Sequence, residues 1–167
     1  METELMKDLA KTDGLTQMYN RLSYNETAES INAELREGHD VVFGVVMIDL
    51  NDLKRINDEY GHEYGDLALK KIAERIRDAF GERNSFRIGG DEFAAVLRRD
   101  EYAVRQAVEA FRRSLTEDAG ENPWEQVSAV AGFSMFDPSL DHRFEDTAKR
   151  ADDLMYRNKK VMKAARQ

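Results

Sequence analysis

The run Val41-Val42-Phe43, continued by Val45-Val46-Met47-Ile48, is the feature that most limits how this chain can fold. β-Branched and aromatic residues without polar alternation suit a strand covered on both faces. The run ends abruptly in Asp49-Leu50-Asn51-Asp52. A carboxylate at the end of a buried strand is rigidly held, and ligands of open sheets gather beyond strand ends, so Asp49 stands where a metal or phosphate could sit. The same acid could instead cap a following helix, and these residues alone leave both readings open. Lys54, Asn57 and Asp58 come next, then Gly61-His62 and Gly65-Asp66, a density of polar residues and glycines that a cap does not require.

A second segment, Arg87-Ile88-Gly89-Gly90-Asp91-Glu92-Phe93, lies between two stretches, Asn84 to Ile88 and Phe93 to Leu97, that read as short strands. Gly89-Gly90 then falls where a tight hairpin turn reverses the chain. Asp91 and Glu92 leave that turn side by side, and the missing side chains let a bulky anion approach the backbone. A polar hairpin tip with a solvated Glu92 is the plainer reading of the heptad taken alone.

Tyr24, Ala28, Ile31 and Leu35 repeat at helical spacing, as do Leu69, Ile72, Ala73, Ile76 and Phe80, then Phe144, Ala148, Ala151 and Met155. A further helix is expected over Glu101 to Glu117 and a strand over Gln126 to Phe136. The fold class expected is therefore α/β, a mixed central sheet flanked by helices, with Asp49 and the glycine pair at the same edge. At 167 residues the chain fits one domain, large enough to bury roughly 70% of its unfolded surface. With 25 Lys plus Arg against 33 Asp plus Glu, the net charge of -8 argues against a nucleic-acid polymer as partner, so any phosphate binding must be local. The absence of cysteine excludes disulfides and thiolate-bound metals and makes a cytoplasmic setting the default. No apolar stretch approaches the roughly 20 residues of a membrane span, so no membrane contact is expected of this segment, and Met1 to Ala10 lacks the apolar core of a signal peptide.

The string Asp49 to Asp58, continuing through Gly61-His62-Glu63-Tyr64-Gly65-Asp66, resembles the first signature block of the GGDEF family of diguanylate cyclases, and Gly89 to Phe93 spells the family's name. Asp13-Gly14-Leu15-Thr16 with Asn20-Arg21, and Ala151-Asp152 with Tyr156 and Lys159, extend the resemblance from Asp13 to Lys163. It implies a GGDEF domain over residues 13–167, preceded over residues 1–12 by a connector helix or the stub of one from an upstream sensor domain. The implied fold is related to nucleotidyl cyclase cores and polymerase palm domains. The implied activity is condensation of two GTP into cyclic di-GMP and two pyrophosphates by 3′-hydroxyl attack on the α-phosphate. A catalytically weak GTP-binding regulatory module is the alternative. A palm acting on polynucleotides is a third reading, weakened by the acidic balance.

The resemblance also implies two Mg²⁺ (or Mn²⁺) ions per site, with Asp49, Asp91, Glu92 and the Leu50 carbonyl as ligands. Asp91, with Glu92 beside it, is the implied catalytic position, and the sequence does not separate base from ligand. Asn57 and Asp66 occupy the family's guanine-contacting positions, the plainer readings being a loop or cap residue for Asn57 and a helix-starting acid after Gly65 for Asp66. Lys54, Lys159, Lys163 and the Gly89-Gly90 turn face the triphosphate, and His62 is expected to be a local structural residue. Because the product joins two GTP, a transient antiparallel homodimer is implied. Leu53 replaces a usual phenylalanine. Met162 and Lys163 stand where the family usually has glycine and arginine, which trades a bidentate fork for a point charge. Phe80 and Arg83 occupy the two places where many members carry an Arg-x-x-Asp product-binding turn, so cyclic di-GMP is not expected to inhibit there.

Overall fold

The protein is described here over residues 10–117 and 119–165 of a computed structural model. The expected connector helix falls mostly outside them. Helix α1 (Arg21–Arg36) begins at Asn20, whose side chain accepts from the Ser23 N–H and so supplies one of the oxygens a helix start needs. Strand β1 (Gly44–Leu50) follows, displaced toward the C-terminus of the apolar run that announced it. Val41 and Val42 lie ahead of it, Val42 58% exposed. At the other end Asp49 lies inside the strand, because it pairs with Glu92 on one side and Val130 on the other.

Helices α2 (Leu53–Tyr60) and α3 (His62–Phe80) meet at Gly61, which ends one and starts the other at φ 101, a backbone that favours glycine. Strands β2 (Ser85–Arg87) and β3 (Glu92–Leu97) form the hairpin. Helix α4 (Glu101–Glu117) spans the expected residues. Strand β4 (Ala129–Met135) and helix α5 (Phe144–Ala165) complete the described chain. The sheet runs β2-β3-β1-β4. The α/β class is as expected, but the sheet is not mixed, since its three strand pairings are all antiparallel. Among the described residues, the isolated bridge Tyr19–Phe86 is parallel.

Alternation along β1 divides the core. Val46, Ile48 and Leu50 join the α3 stripe and Val104, Val108 and Phe111 of α4 on one face, with Phe80 packed against Phe111. Val45 and Met47 join α1 and α5 on the other, through Tyr24, Ile31, Phe144 and Ala151. Asp49 falls on the α5 side by the same period of two. α5 lies directly on β4 at Gly132, where a Cβ would come 2.2 Å from the Met155 N and 2.7 Å from the Ala151 O.

The end of the sheet remote from Asp49 is closed by a buried ion pair. Asp141 accepts from Arg150, from the Thr147 hydroxyl at 3.0 Å and from the Asp137 N–H at 3.0 Å. Arg150 also donates to Ser134 Oγ and the Met135 carbonyl. Burial alone would raise the Asp141 carboxyl, but these bonds outweigh it and hold it below the usual carboxylate range. Among the described residues no helix is long and apolar enough to cross a membrane.

Candidate active site

Asp49 is 5% exposed, and one of its oxygens accepts from the Lys159 ammonium of α5. The other, Oδ1, is buried without a hydrogen-bond partner. Asp49 therefore caps no helix; the cap position of α2 is Asp52, in the left-handed region at φ 63. An orphan carboxylate oxygen is costly to bury unless something else binds it. Burial raises the Asp49 carboxyl despite Lys159, and the nearby Asp91 charge raises it further. Glu92, opposite Asp49 in register, is also raised, by burial and then by Asp49, Asp91 and Asp152, with Arg21 opposing. The Lys159 ammonium is raised in turn by its bond to Asp49. Excess negative charge around one orphan oxygen is what a hard cation would relieve, so these residues fit Mg²⁺. Among the described residues no three acidic or imidazole groups already converge on one ion, so substrate phosphates would complete the set.

The turn between β2 and β3 is held by its backbone and by Arg87. Ile88 N and Gly89 N both donate to the Glu92 carbonyl, at 3.0 and 3.2 Å, and Leu50 N donates to the Asp91 carbonyl at 2.9 Å. The last bond ties the turn to the end of β1. Arg87 donates to the Gly89 and Gly90 carbonyls and forms an ion pair with Asp13 at 3.0 Å. Gly89 and Gly90 are absent from the positive-φ residues of the described chain, so their backbone does not require glycine. A Cβ on Gly90 would meet nothing within 4 Å. Gly90 leaves open surface, which accords with an approaching anion, whereas a Cβ on Gly89 would touch the Glu92 side chain at 3.4 Å.

Asn57 lies on α2, and its Oδ1 is buried with no partner. A Cβ on Gly65 would lie 1.7 Å from that oxygen, so only glycine leaves Asn57 its position. Leu53 reaches the same spot, 3.3 Å from that Cβ position. The α2–α3 pair is braced from outside by Trp124, whose ring centre is 4.4 Å from that of Tyr64. Asp66 is exposed and lies a turn inside α3, so it is not a helix-starting acid. Lys54 and Lys163 are exposed, as is His62, the first residue of α3. No side chain caps the start of α2, so its leading N–H groups lack the oxygen a cap would supply. Asp49, Leu50, Asp91, Glu92 and Lys159 thus meet at one sheet end, whereas Asn57 and Asp66 lie on the adjoining helix pair.

Two contacts went unnoticed in the sequence. One is the pairing of Arg87 with Asp13, for which an arginine two residues before a glycine pair was the available signal. The other is Asn51, whose amide donates to Ser128 Oγ at 3.0 Å and to Met162 Sδ at 2.9 Å, and no local pattern announces it.

Residues 10–165 match the family model described as diguanylate cyclase, GGDEF domain. The chain is 27% identical over 160 residues to the diguanylate cyclase DgcS of Shewanella oneidensis, covering 95% of this chain and 53% of that protein. It is 32% identical over 163 residues to DgcP of Pseudomonas aeruginosa, covering 95% of this chain and 24% of that one. The chain thus spans about half, or less, of the length of these curated relatives. In structure it is similar to the coiled coil and GGDEF domain of DgcB from Caulobacter crescentus, solved in complex with c-di-GMP. The TM-score is 0.83 at 24% identity, over 95% of this chain and 85% of that one. With its signature residues gathered at one end of the sheet and the family match running nearly end to end, this chain belongs to the GGDEF-domain family of diguanylate cyclases.

Proposed function

We propose that this domain condenses two GTP into cyclic di-GMP with release of two pyrophosphates. The observation that carries the reading is the buried, unpartnered Asp49 Oδ1, set among Asp91 and Glu92 and steadied by Lys159. Asp49, Asp91, Glu92 and the Leu50 carbonyl would hold two Mg²⁺ or Mn²⁺ ions. Bound there, the ions would stabilise charge on the entering and leaving oxygens of an in-line phosphoryl displacement.

The chain's own residues do the rest. Asn57 and Asp66 accept from the N1–H and exocyclic amine of guanine, and adenine, lacking that donor pair, leaves them unpaired and is rejected. The N–H groups at the start of α2, which no side chain caps, with Lys54, Lys159 and Lys163, neutralise the triphosphate. The bare surface at Gly90 lets the phosphates approach the turn. Asp91, held by its carbonyl on Leu50 N, takes the proton of the attacking 3′-hydroxyl. One domain binds one GTP, so two copies face each other in a transient antiparallel dimer.

Incubation with GTP and Mg²⁺ followed by product analysis tests this reading. Cyclic di-GMP and pyrophosphate in a 1:2 ratio are expected, at a rate per molecule that rises with protein concentration. Tight GTP binding with no product at any concentration would reassign the domain as a regulatory GTP-binding module.

A further inference from the structure

Met162 stands where the family usually has glycine, and in this chain it has a specific partner. We infer that Met162 is a positioning residue whose thioether sulfur holds the turn between β1 and α2 through Asn51. The inference rests on the reading of that turn as part of the GTP site.

The contact follows from two periods that coincide. Alternation along β1 and its extension sends Asp49 and Asn51 to the same side, while Lys159 and Met162, three residues apart, share one face of α5. Lys159 bonds Asp49, and the Asn51 amide donates to Met162 Sδ at 2.9 Å, so α5 grips the chain on both sides of Leu50. Asn51 is also tied to Ser128, through Oγ at 3.0 Å and through its own N–H to the Ser128 carbonyl at 2.8 Å.

A fixed Asn51 matters because of its neighbours. Leu50 precedes it, and its carbonyl is a proposed metal ligand. Asp52 follows in the left-handed region at φ 63, which aspartate tolerates better than most residues with a side chain but still at some cost. A glycine at position 162 would offer no acceptor, and a leucine would fill the space without one. The thioether does both, as a flexible apolar group with a weak acceptor.

The test compares Met162→Leu, Met162→Gln, Asn51→Ala and the Met162→Leu/Asn51→Ala double variant. Its readouts are amide hydrogen exchange of residues 51–55 in the ligand-free protein, and kcat and KM for Mg-GTP. Met162→Leu is expected to speed exchange at Asn51 and to raise KM, each by about fivefold, the worth of one modest hydrogen bond, with kcat nearly unchanged. Met162→Gln, with an amide oxygen at similar reach, should restore the protection, and the double variant should be no worse than Asn51→Ala alone. Unchanged Asn51 exchange in Met162→Leu, equal losses in the Gln and Leu variants, or fully additive effects in the double variant would overturn the inference. Exchange needs no turnover. A protein that makes no cyclic di-GMP would defeat the proposed function and still leave the role of Met162 decided.

Discussion

Arg150 and Lys159 lie on the same helix, α5, and each bonds a buried aspartate, Asp141 and Asp49. Asp141 also takes bonds from Thr147 and Asp137, and its carboxyl is held low. Asp49 keeps an orphan oxygen, has Asp91 and Glu92 for company, and its carboxyl is raised. The same charge pair is therefore closed at one end of the helix and left unfinished at the other. A finished pair contributes to stability, whereas an unfinished one stores a preference for whatever completes it.

The largest effect should come from breaking the unfinished end. Asp49→Ala or Asp91→Ala should lower turnover by about a hundredfold or more at saturating Mg²⁺, with the circular dichroism spectrum unchanged. Retained turnover in either variant would remove the metal reading. At the finished end, Arg150→Ala should cost about 3 kcal/mol, because it strands a buried carboxylate. Urea unfolding would show this as a lower midpoint at the same slope, with KM for GTP unaffected. A stability unchanged by Arg150→Ala would erase the contrast between the two ends.

Acid sharpens the comparison because the two ends answer it with opposite signs. Asp141 is depressed in the folded state, so its contribution is present above the ordinary carboxylate value of about 4 and is lost as pH falls through its folded value. Asp49 and Glu92 are raised, so the folded state holds their protons longer than the unfolded one, and stability falls as pH rises from about 4 through the raised values. Glu92→Gln should accordingly raise Tm at neutral pH by about 2 °C, a small gain because Glu92 is exposed. That gain should fade below about pH 4, where the wild-type carboxyl is already protonated. A gain that grew on acidification would contradict the repulsion assigned to Glu92. The mildest change is Gly90→Ala, expected to raise Tm slightly, since a Cβ there meets no protein atom and the backbone does not require glycine, and to raise KM for GTP severalfold.

The sequence was informative wherever function or burial leaves a local mark. The helix expected over Glu101 to Glu117 has those ends in α4, and the acids leaving the glycine pair pointed to the right end of the sheet. Strand direction was not legible, because a period of two reports which face is buried and says nothing about the neighbour's polarity; hence the expected mixed sheet. β1 was misplaced for a related reason. Phe43 is fully buried and its carbonyl accepts from the Phe136 N–H at 2.9 Å, yet the strand begins only at Gly44, and apolar content alone does not tell where a ladder starts. The glycine pair was recognised as a turn, yet neither glycine has a positive φ, and what Gly90 supplies is open space rather than backbone handedness. Asp13 and Arg87 are 74 positions apart and Asn51 and Met162 are 111, separations at which no local pattern can pair residues.

Gly132 gives the domain an unusual kind of vulnerability. The backbone of α5 rests on it so closely that even a methyl group has no room. Alanine, the gentlest replacement at most positions, would have to lift the helix that carries both Arg150 and Lys159. One hydrogen atom exchanged for a methyl would then reach the Asp141–Arg150 pair and the Asp49–Lys159 pair together, although Gly132 touches neither. Sequence drift is consequently barred at a position with no side chain and no chemistry of its own, and an inventory of reactive groups would pass over it.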